Sequence, residues 1–143
     1  MMNNDDPMQK KQILIIEDDE SVRQVLSTRL TKNGFQVSQA PDGNRGLHEA
    51  RQHTPDLIIL DLRLPGCSGE EVCKAIREDE NEHFAKTPIL MLTGKGSDVD
   101  RVIGMVIGAN AYIAKPFRLP VLMREIKRCL ASHEVENGGG EEA

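Results

Sequence analysis

The stretch Leu57-Ile58-Ile59-Leu60-Asp61 decides the fold class, because four large aliphatic residues end in a single carboxylate. Pro65 and Gly66 follow closely as a turn signal. A short, continuous apolar run bounded by turn residues is typical of a strand buried on both faces, as in a parallel sheet. Open α/β folds bind their ligands at the carboxyl edge of such a sheet. Asp61 alone would more simply be the start of a loop, so the other strand ends decide its meaning.

Four further segments have strand character, and helical patterns separate them. The strands are predicted at residues 13–16, 35–38, 88–92 and 111–114, with the second nearer a sheet edge. Helices are predicted over residues 21–32, up to about 53, from 69, over 97–107 and from about 120 onward, whereas the charged segment 78–86 is predicted to be a surface loop. Strands that alternate with helices predict an α/β fold, a doubly wound five-stranded parallel sheet with helices on both faces.

The chain length and the two ends define the domain organisation. With 143 residues, the chain is long enough for one domain with a substantial core. We predict that this domain covers residues 11–133. Residues 1–10 and 134–143 lack apolar periodicity and are predicted to be a mobile N-terminal segment and a flexible Gly/Glu-rich tail or the start of a linker.

Composition excludes several classes of function. A formal net charge of −5 argues against direct binding of nucleic acid by this domain. No apolar run is long enough to cross a bilayer, and the polar, acidic start does not resemble a signal peptide. The three cysteines form an odd set without metal-ligand spacing, which favours free thiols and a cytoplasmic location.

The residues that could take part in chemistry lie at the carboxyl ends of the strands. The first strand is followed by Glu17 and Asp18, and the third, fourth and fifth end at Asp61, Thr93 and Lys115. Parallel strands share one carboxyl edge, so these side chains can converge. Three carboxylates ~4 Å apart would repel one another by ~4 kcal/mol per pair at an effective dielectric constant of about 20. Such a cluster needs a cation, and hard oxygen ligands suit Mg²⁺, with Mn²⁺ as a substitute.

A phosphoryl group is the anion that best fits the remaining donors. Lys115 and the hydroxyl of Thr93 are natural partners for its oxygens. An ionised aspartate beside them can act as the nucleophile toward phosphorus, while the cation and these donors stabilise the transferring group.

The chain resembles the receiver domain of bacterial two-component response regulators, in the CheY-like superfamily. The resemblance covers residues 11 to about 133. Each motif is weak alone, but their order and spacing together are specific. The motifs that carry it are Ile13-Leu14-Ile15-Ile16-Glu17-Asp18-Asp19-Glu20, Asp61-Leu62-Arg63-Leu64-Pro65-Gly66, Met91-Leu92-Thr93-Gly94 and Tyr112-Ile113-Ala114-Lys115-Pro116-Phe117.

The resemblance implies a strand order of 2-1-3-4-5 and a role for each residue of the acidic site. Asp61 would accept a phosphoryl group from a phosphohistidine on a sensor histidine kinase or a histidine phosphotransfer protein. Asp18 and Asp61 would bind Mg²⁺ through their carboxylates, Arg63 through its backbone carbonyl, and Glu17 mostly through water. The chain would then be a signalling phosphoprotein rather than an enzyme, catalysing its own phosphotransfer and slow dephosphorylation.

The resemblance also implies how the signal leaves the site. Lys115 would pair with the acyl phosphate and Thr93 would hydrogen-bond to it, while Tyr112 would be an aromatic switch that turns inward with Thr93. The face formed by the fourth predicted helix, the fifth strand and the fifth predicted helix would then engage a downstream protein, a missing output domain or a second copy.

Some positions depart from the family pattern. Gly94 follows Thr93 where alanine is common, and Arg118 replaces a common acidic helix cap. Arg63 and Lys95 each lie two residues past a site residue. We hypothesise that these two long side chains crowd the attacking water and lengthen the phosphorylated lifetime.

Three alternative readings have different sequence requirements. A flavodoxin-like FMN carrier needs a Ser/Thr/Gly-rich phosphate loop where this chain has Glu17 to Glu20. A phosphatase of the haloacid dehalogenase type needs Asp-x-Asp where this chain has Arg63 two residues after Asp61. A non-phosphorylated pseudo-receiver that serves as an interaction scaffold is the strongest alternative.

Overall fold

The computed structural model of the chain describes residues 10–94, 102–103 and 106–142. Along the chain the elements are β1 Gln12–Ile16, α1 Glu20–Lys32, β2 Gln36–Ala40, α2 Gly43–His53, β3 Leu57–Asp61, α3 Gly69–Arg77, α4 Glu82–Ala85, β4 Ile89–Thr93, β5 Ala111–Ala114 and α5 Leu119–Glu142. The five strands form one sheet in the order β2-β1-β3-β4-β5, and every neighbouring pair is parallel. The predicted fold class and strand order are confirmed.

Strand periodicity divides the core into two layers. Successive strand residues point to opposite faces, so Ile13 and Ile15 join one buried cluster and Leu14 and Ile16 join the other. The first cluster lies beneath α1 and α5, and the second lies beneath α2, α3 and α4. All five residues of β3 are buried. A strand covered on both faces explains why its sequence is continuously apolar rather than alternating.

Local capping interactions fix where the helices begin. Asp19 caps α1 by accepting hydrogen bonds from the backbone amides of Ser21 and Val22. Ser68 and Glu71 form the capping box at the start of α3 that the sequence indicated. These caps set the direction in which the chain leaves β1 and β3, the strands that lead into the acidic site.

Two segments differ from the sequence prediction. The predicted surface loop 78–86 contains the single helical turn α4, because Asn81 caps the amide of Phe84 and the Phe84 ring is buried in the second cluster. The last helix continues to Glu142, although the prediction assigned residues 134–143 to a tail. Residues 134–142 contain no proline that would stop a helix. The flexibility of this tail and the predicted domain limits stay predictions.

The predicted helix over 97–107 falls partly on residues outside the described set. Residues 102–103 and 106–107 are helical, and Gly108 follows with a φ of +101°, the left-handed conformation that ends a helix. The predicted cap at 97–100 and the position of Lys95 lie outside the described residues. Across the part of the chain that is described, no helix combines the length and apolarity needed to span a membrane.

Candidate functional site

The sheet brings the predicted residues to its carboxyl edge. The register pairs Asp61 with Leu92 and Thr93 with Ala114, so β3, β4 and β5 end side by side. Backbone hydrogen bonds continue just beyond the strands: the amide of Leu62 donates to Leu92 and the amide of Lys115 donates to Thr93. The amide of Glu17 similarly donates to Ala40 at 3.1 Å. The backbone at the start of each site loop is therefore held by the sheet.

Lys115 joins two of the acids directly. Its Nζ lies 2.5 Å from Oε1 of Glu17 and 2.9 Å from Oδ2 of Asp61. Glu17 is fully buried and Asp61 is 4% exposed, whereas the Lys115 side chain keeps 28% of its surface accessible. One ammonium group thus bridges two carboxylates that arrive on different strands.

The buried charges perturb each other's proton affinity. Burial raises the pKa of Glu17 from 4.5 to about 7, with a further increase from the neighbouring Asp61 carboxylate, while the hydrogen bond from Lys115 opposes this rise. Burial alone would lower the pKa of Lys115, but its hydrogen bonds to Glu17 and Asp61 outweigh that effect and raise it. The lysine therefore stays charged and partly neutralises the cluster.

Glu17, Asp18 and Asp61 form a group that could hold a cation. Each offers a carboxylate oxygen, and these three atoms lie within 4.8 Å of one another. Asp18 is exposed, whereas the other two acids are buried. The predicted carboxylate ligands are thus brought together, and their hard oxygen atoms suit Mg²⁺. The backbone amide of Arg63 donates to Oδ1 of Asp61 at 3.0 Å, and the predicted ligand role of the Arg63 carbonyl stays a prediction.

Thr93 and Tyr112 lie close to this cluster along the sheet. Thr93 is buried at the end of β4, and its hydroxyl donates to the carbonyl of Ile113 at 3.4 Å. Tyr112 is half-buried on β5 and packs against the second core cluster. It also lines a cavity of about 680 Å³ along β5 and the start of α5. Their proposed switch roles stay predictions.

Sequence reasoning missed two residues that support the site backbone. Gly69 lies so close to β3 that a Cβ atom there would be 2.2 Å from the carbonyl oxygen of Asp61. Arg23 on α1 donates from Nη1 to the carbonyl oxygen of Glu17 at 2.9 Å. A glycine directly after a helix cap was a usable signal for close backbone approach. The contact of Arg23 depends on the path of its side chain, which no sequence pattern specifies.

Comparisons with known proteins agree with this geometry. The family model described as "Response regulator receiver domain" matches residues 13–127. The transcriptional regulatory protein AfsQ1 of Streptomyces coelicolor is 40% identical over 125 residues, which are 87% of this chain and 53% of AfsQ1. The alkaline phosphatase synthesis transcriptional regulatory protein PhoP of Bacillus subtilis is 37% identical over 89% of this chain and 54% of its own length. The chain thus spans about half the length of these curated relatives.

Solved structures give the same result. A crystal structure of a putative response regulator from Chloroflexus aurantiacus superimposes with a TM-score of 0.81 at 35% identity, covering 86% of this chain and 99% of that one. The chemotaxis protein CheY4 of Vibrio cholerae gives a TM-score of 0.77 at 33% identity, covering 84% and 98%. The chain therefore shares both sequence and fold with these proteins over most of its length.

Proposed function

The chain belongs to the family of response regulator receiver domains, and from this premise we propose that it accepts a phosphoryl group on Asp61 in a Mg²⁺-dependent reaction. The observation that carries the proposal is the meeting of Asp61, Glu17 and Lys115, in which one ammonium contacts both carboxylates. Asp18 completes the acidic group. We keep residues 11–133 as the proposed receiver unit and the cytoplasm as its proposed location.

The donor set of the site fits Mg²⁺. Asp18 and Asp61 would bind it through carboxylate oxygens, Arg63 through its carbonyl, and Glu17 through water. When bound, the ion would neutralise the acids and withdraw charge from the oxygens of the transferring group. The exposure of Asp18 leaves an entry path from solvent, while the buried acids fix the inner wall.

The chain's own residues would carry the transfer. An oxygen of Asp61 attacks phosphorus in line, the new O–P bond forms, and the P–N bond to the donor histidine breaks with its electron pair left on the imidazole. Lys115 moves from its contact with Asp61 to an oxygen of the acyl phosphate. The Thr93 hydroxyl, now 3.4 Å from the Ile113 carbonyl, turns to a second oxygen. Donors of this kind stabilise charge that develops during phosphoryl transfer.

A surface cleft beside the site suits the phosphodonor protein. It has a volume of about 610 Å³ and is lined by Ser21, Val22, Val25, Gly94, Lys115, Pro116 and Phe117. Val25 is 58% exposed, although it is a large aliphatic residue. Exposed apolar side chains next to a reacting lysine favour a protein partner over a small polar donor. We assign this cleft to the helix of a histidine kinase or phosphotransfer protein that carries the phosphohistidine.

Phosphorylation would pass the signal on by shifting the equilibrium between two conformations of another face of the domain. When Thr93 turns toward the phosphate it vacates space beside β5, and Tyr112 would move inward to fill it. The predicted helix 97–107, β5 and α5 would then form the face that a downstream protein, an output domain or a second copy recognises. Shifting a two-state equilibrium from 1% to 99% active needs a differential stabilisation of about 5.5 kcal/mol.

Incorporation of a phosphoryl group tests the proposal. The protein is incubated with acetyl phosphate and Mg²⁺, and its intact mass is recorded. Wild type should gain one phosphoryl group, while Asp61→Asn and wild type with excess EDTA should not. Asp56→Asn is the matched control, because Asp56 precedes the same strand at the opposite sheet edge, where it accepts from the amide of Gln12. Equal labelling of the Asp61→Asn variant would contradict the proposal, and no labelling of wild type would favour a scaffold role.

A further inference from the structure

Arg23 contacts the backbone of the turn that carries both acids after β1. Its Nη1 donates to the carbonyl oxygen of Glu17 at 2.9 Å and to that of Asp18 at 3.4 Å. Its Nε donates to Oε1 of Gln39 on β2 at 3.3 Å. The contacts with Glu17 and Gln39 are part-buried, whereas the longer contact with Asp18 is exposed. One side chain therefore connects α1, the acidic turn and β2.

The backbone of the acidic turn needs side-chain contacts of this kind because it lies outside the regular hydrogen bonds of the sheet and of α1. Its residues 17–19 lie between the end of β1 and the start of α1. The amide of Glu17 still bonds to Ala40 in the sheet direction, and the amide of Asp19 donates to Oε2 of Glu17. The carbonyls of Glu17 and Asp18 are the groups that Arg23 satisfies. A planar guanidinium can serve several acceptors at once, which an ammonium cannot do with the same geometry.

We propose that Arg23 is a positioning residue for the metal-binding acids, which holds the backbone of Glu17 and Asp18 so that their carboxylates face Asp61. This inference rests on the proposed function, since it assumes that the acids bind Mg²⁺. Arg23 acts through the backbone of the ligand residues and contributes no ligand atom. The shorter of its two backbone contacts is with the Glu17 carbonyl and the longer one is with the Asp18 carbonyl.

The direction in which Mg²⁺ affinity changes on substitution of Arg23 distinguishes a positioning role from an effect of its charge alone. Arg23 is a cation next to an acidic site, so its charge alone opposes the binding of another cation. Removing only that charge would tighten Mg²⁺ binding, and exchanging it for lysine would leave binding unchanged. Loss of the backbone contacts has the opposite effect, because the carboxylates must then be ordered when the ion binds. Partners that orient metal ligands typically contribute about 10-fold or more to affinity.

Calorimetric titration with Mg²⁺ of the metal-free full chain tests the inference. Arg23→Lys and Arg23→Ala should each raise the dissociation constant by about 10-fold or more. Arg29→Ala is the matched control, because it removes the same charge from the exposed last turn of α1. It should leave the dissociation constant within about twofold of wild type, since distant exposed charges are largely screened. Labelling by acetyl phosphate should recover in both Arg23 variants at saturating Mg²⁺, because every ligand and the nucleophile are retained.

The outcomes distinguish the two proposals. Unchanged or tighter Mg²⁺ binding by Arg23→Lys and Arg23→Ala would overturn the positioning role and leave the proposed function intact. Mg²⁺ binding by wild type that is weak and insensitive to Asp18→Asn would overturn the proposed function and this inference together. Urea unfolding of the metal-free variants shows whether each one is folded. If Arg23→Ala fails to fold, Arg23→Lys and Gln39→Ala carry the test, with Gln39→Ala expected to show a smaller increase in the same direction.

Discussion

Ionisation of Glu17 is expected to destabilise the metal-free protein as the pH rises. The side chain is fully buried, and burial raises its pKa from 4.5 to about 7, with Asp61 adding to the rise and Lys115 opposing it. A raised native pKa means that the folded state holds the proton more tightly than the unfolded state. Its stabilising contribution is complete below pH 4.5 and is lost as the pH passes through 7. At ~1.4 kcal/mol for each tenfold difference in proton affinity, the loss amounts to about 3 kcal/mol.

Urea unfolding followed by circular dichroism measures this loss. The free energies of unfolding of wild type and Glu17→Gln are compared in EDTA from pH 4.5 to 8. Because glutamine stays neutral, the stability of wild type relative to the variant should fall by about 3 kcal/mol across this range. Glu70→Gln, an exposed exchange of the same kind on α3, should follow the wild-type curve. Parallel curves for wild type and Glu17→Gln would refute the assigned burial and ionisation of Glu17.

Three further predictions concern residues around the site and at the opposite sheet edge. Arg77 donates to the carbonyls of Ala85, Thr87 and Gly108 and to the side chain of Asn110. Arg77→Leu should therefore lower the free energy of unfolding, measured in urea, by about 2–4 kcal/mol, and a loss below ~1 kcal/mol would contradict this structural role. A Cβ atom at Gly43 would lie 2.0 Å from the carbonyl oxygen of Cys67. Gly43→Ala should therefore lower the melting temperature and reduce the free energy of unfolding by about 1–3 kcal/mol, and an unchanged melting curve would contradict this steric conflict. Arg63 is exposed beside Asp61. If its side chain crowds the attacking water, Arg63→Asn should accelerate loss of the phosphoryl group at least about threefold, which corresponds to about 0.7 kcal/mol in activation free energy. An unchanged rate of loss, followed by mass spectrometry, would reject the hypothesis.

The sheet and its functional edge could be predicted because both depend on short-range patterns. The run that ends at Asp61 is apolar throughout, and such a run has few options besides a doubly covered strand. Once the strands are parallel, geometry alone brings Asp18, Asp61 and Lys115 to one edge. The convergence of these three residues therefore needed no knowledge of side-chain conformations.

The remaining features depend on tertiary contacts that no local pattern encodes. The role of Lys115 at a bound phosphate stays a prediction, whereas its contacts with Glu17 and Asp61 in the structure were not predicted. The turn α4 forms because Phe84 is buried beneath it, although its neighbours are charged. The contacts of Arg23 depend on a side-chain path across the acidic turn. In each case the three-dimensional path of the chain and of its side chains decides the outcome.

Direct identification of the phosphorylated residue tests the central claim of a phosphoacceptor site. After incubation with acetyl phosphate and Mg²⁺, borohydride reduces an aspartyl phosphate to homoserine, and peptide sequencing by mass spectrometry then locates it. If Asp61 is the phosphoacceptor, homoserine should appear at position 61 and unmodified aspartate at positions 18 and 56. Homoserine at position 18, or a phosphoryl group recovered on a residue outside the acidic site, would contradict it.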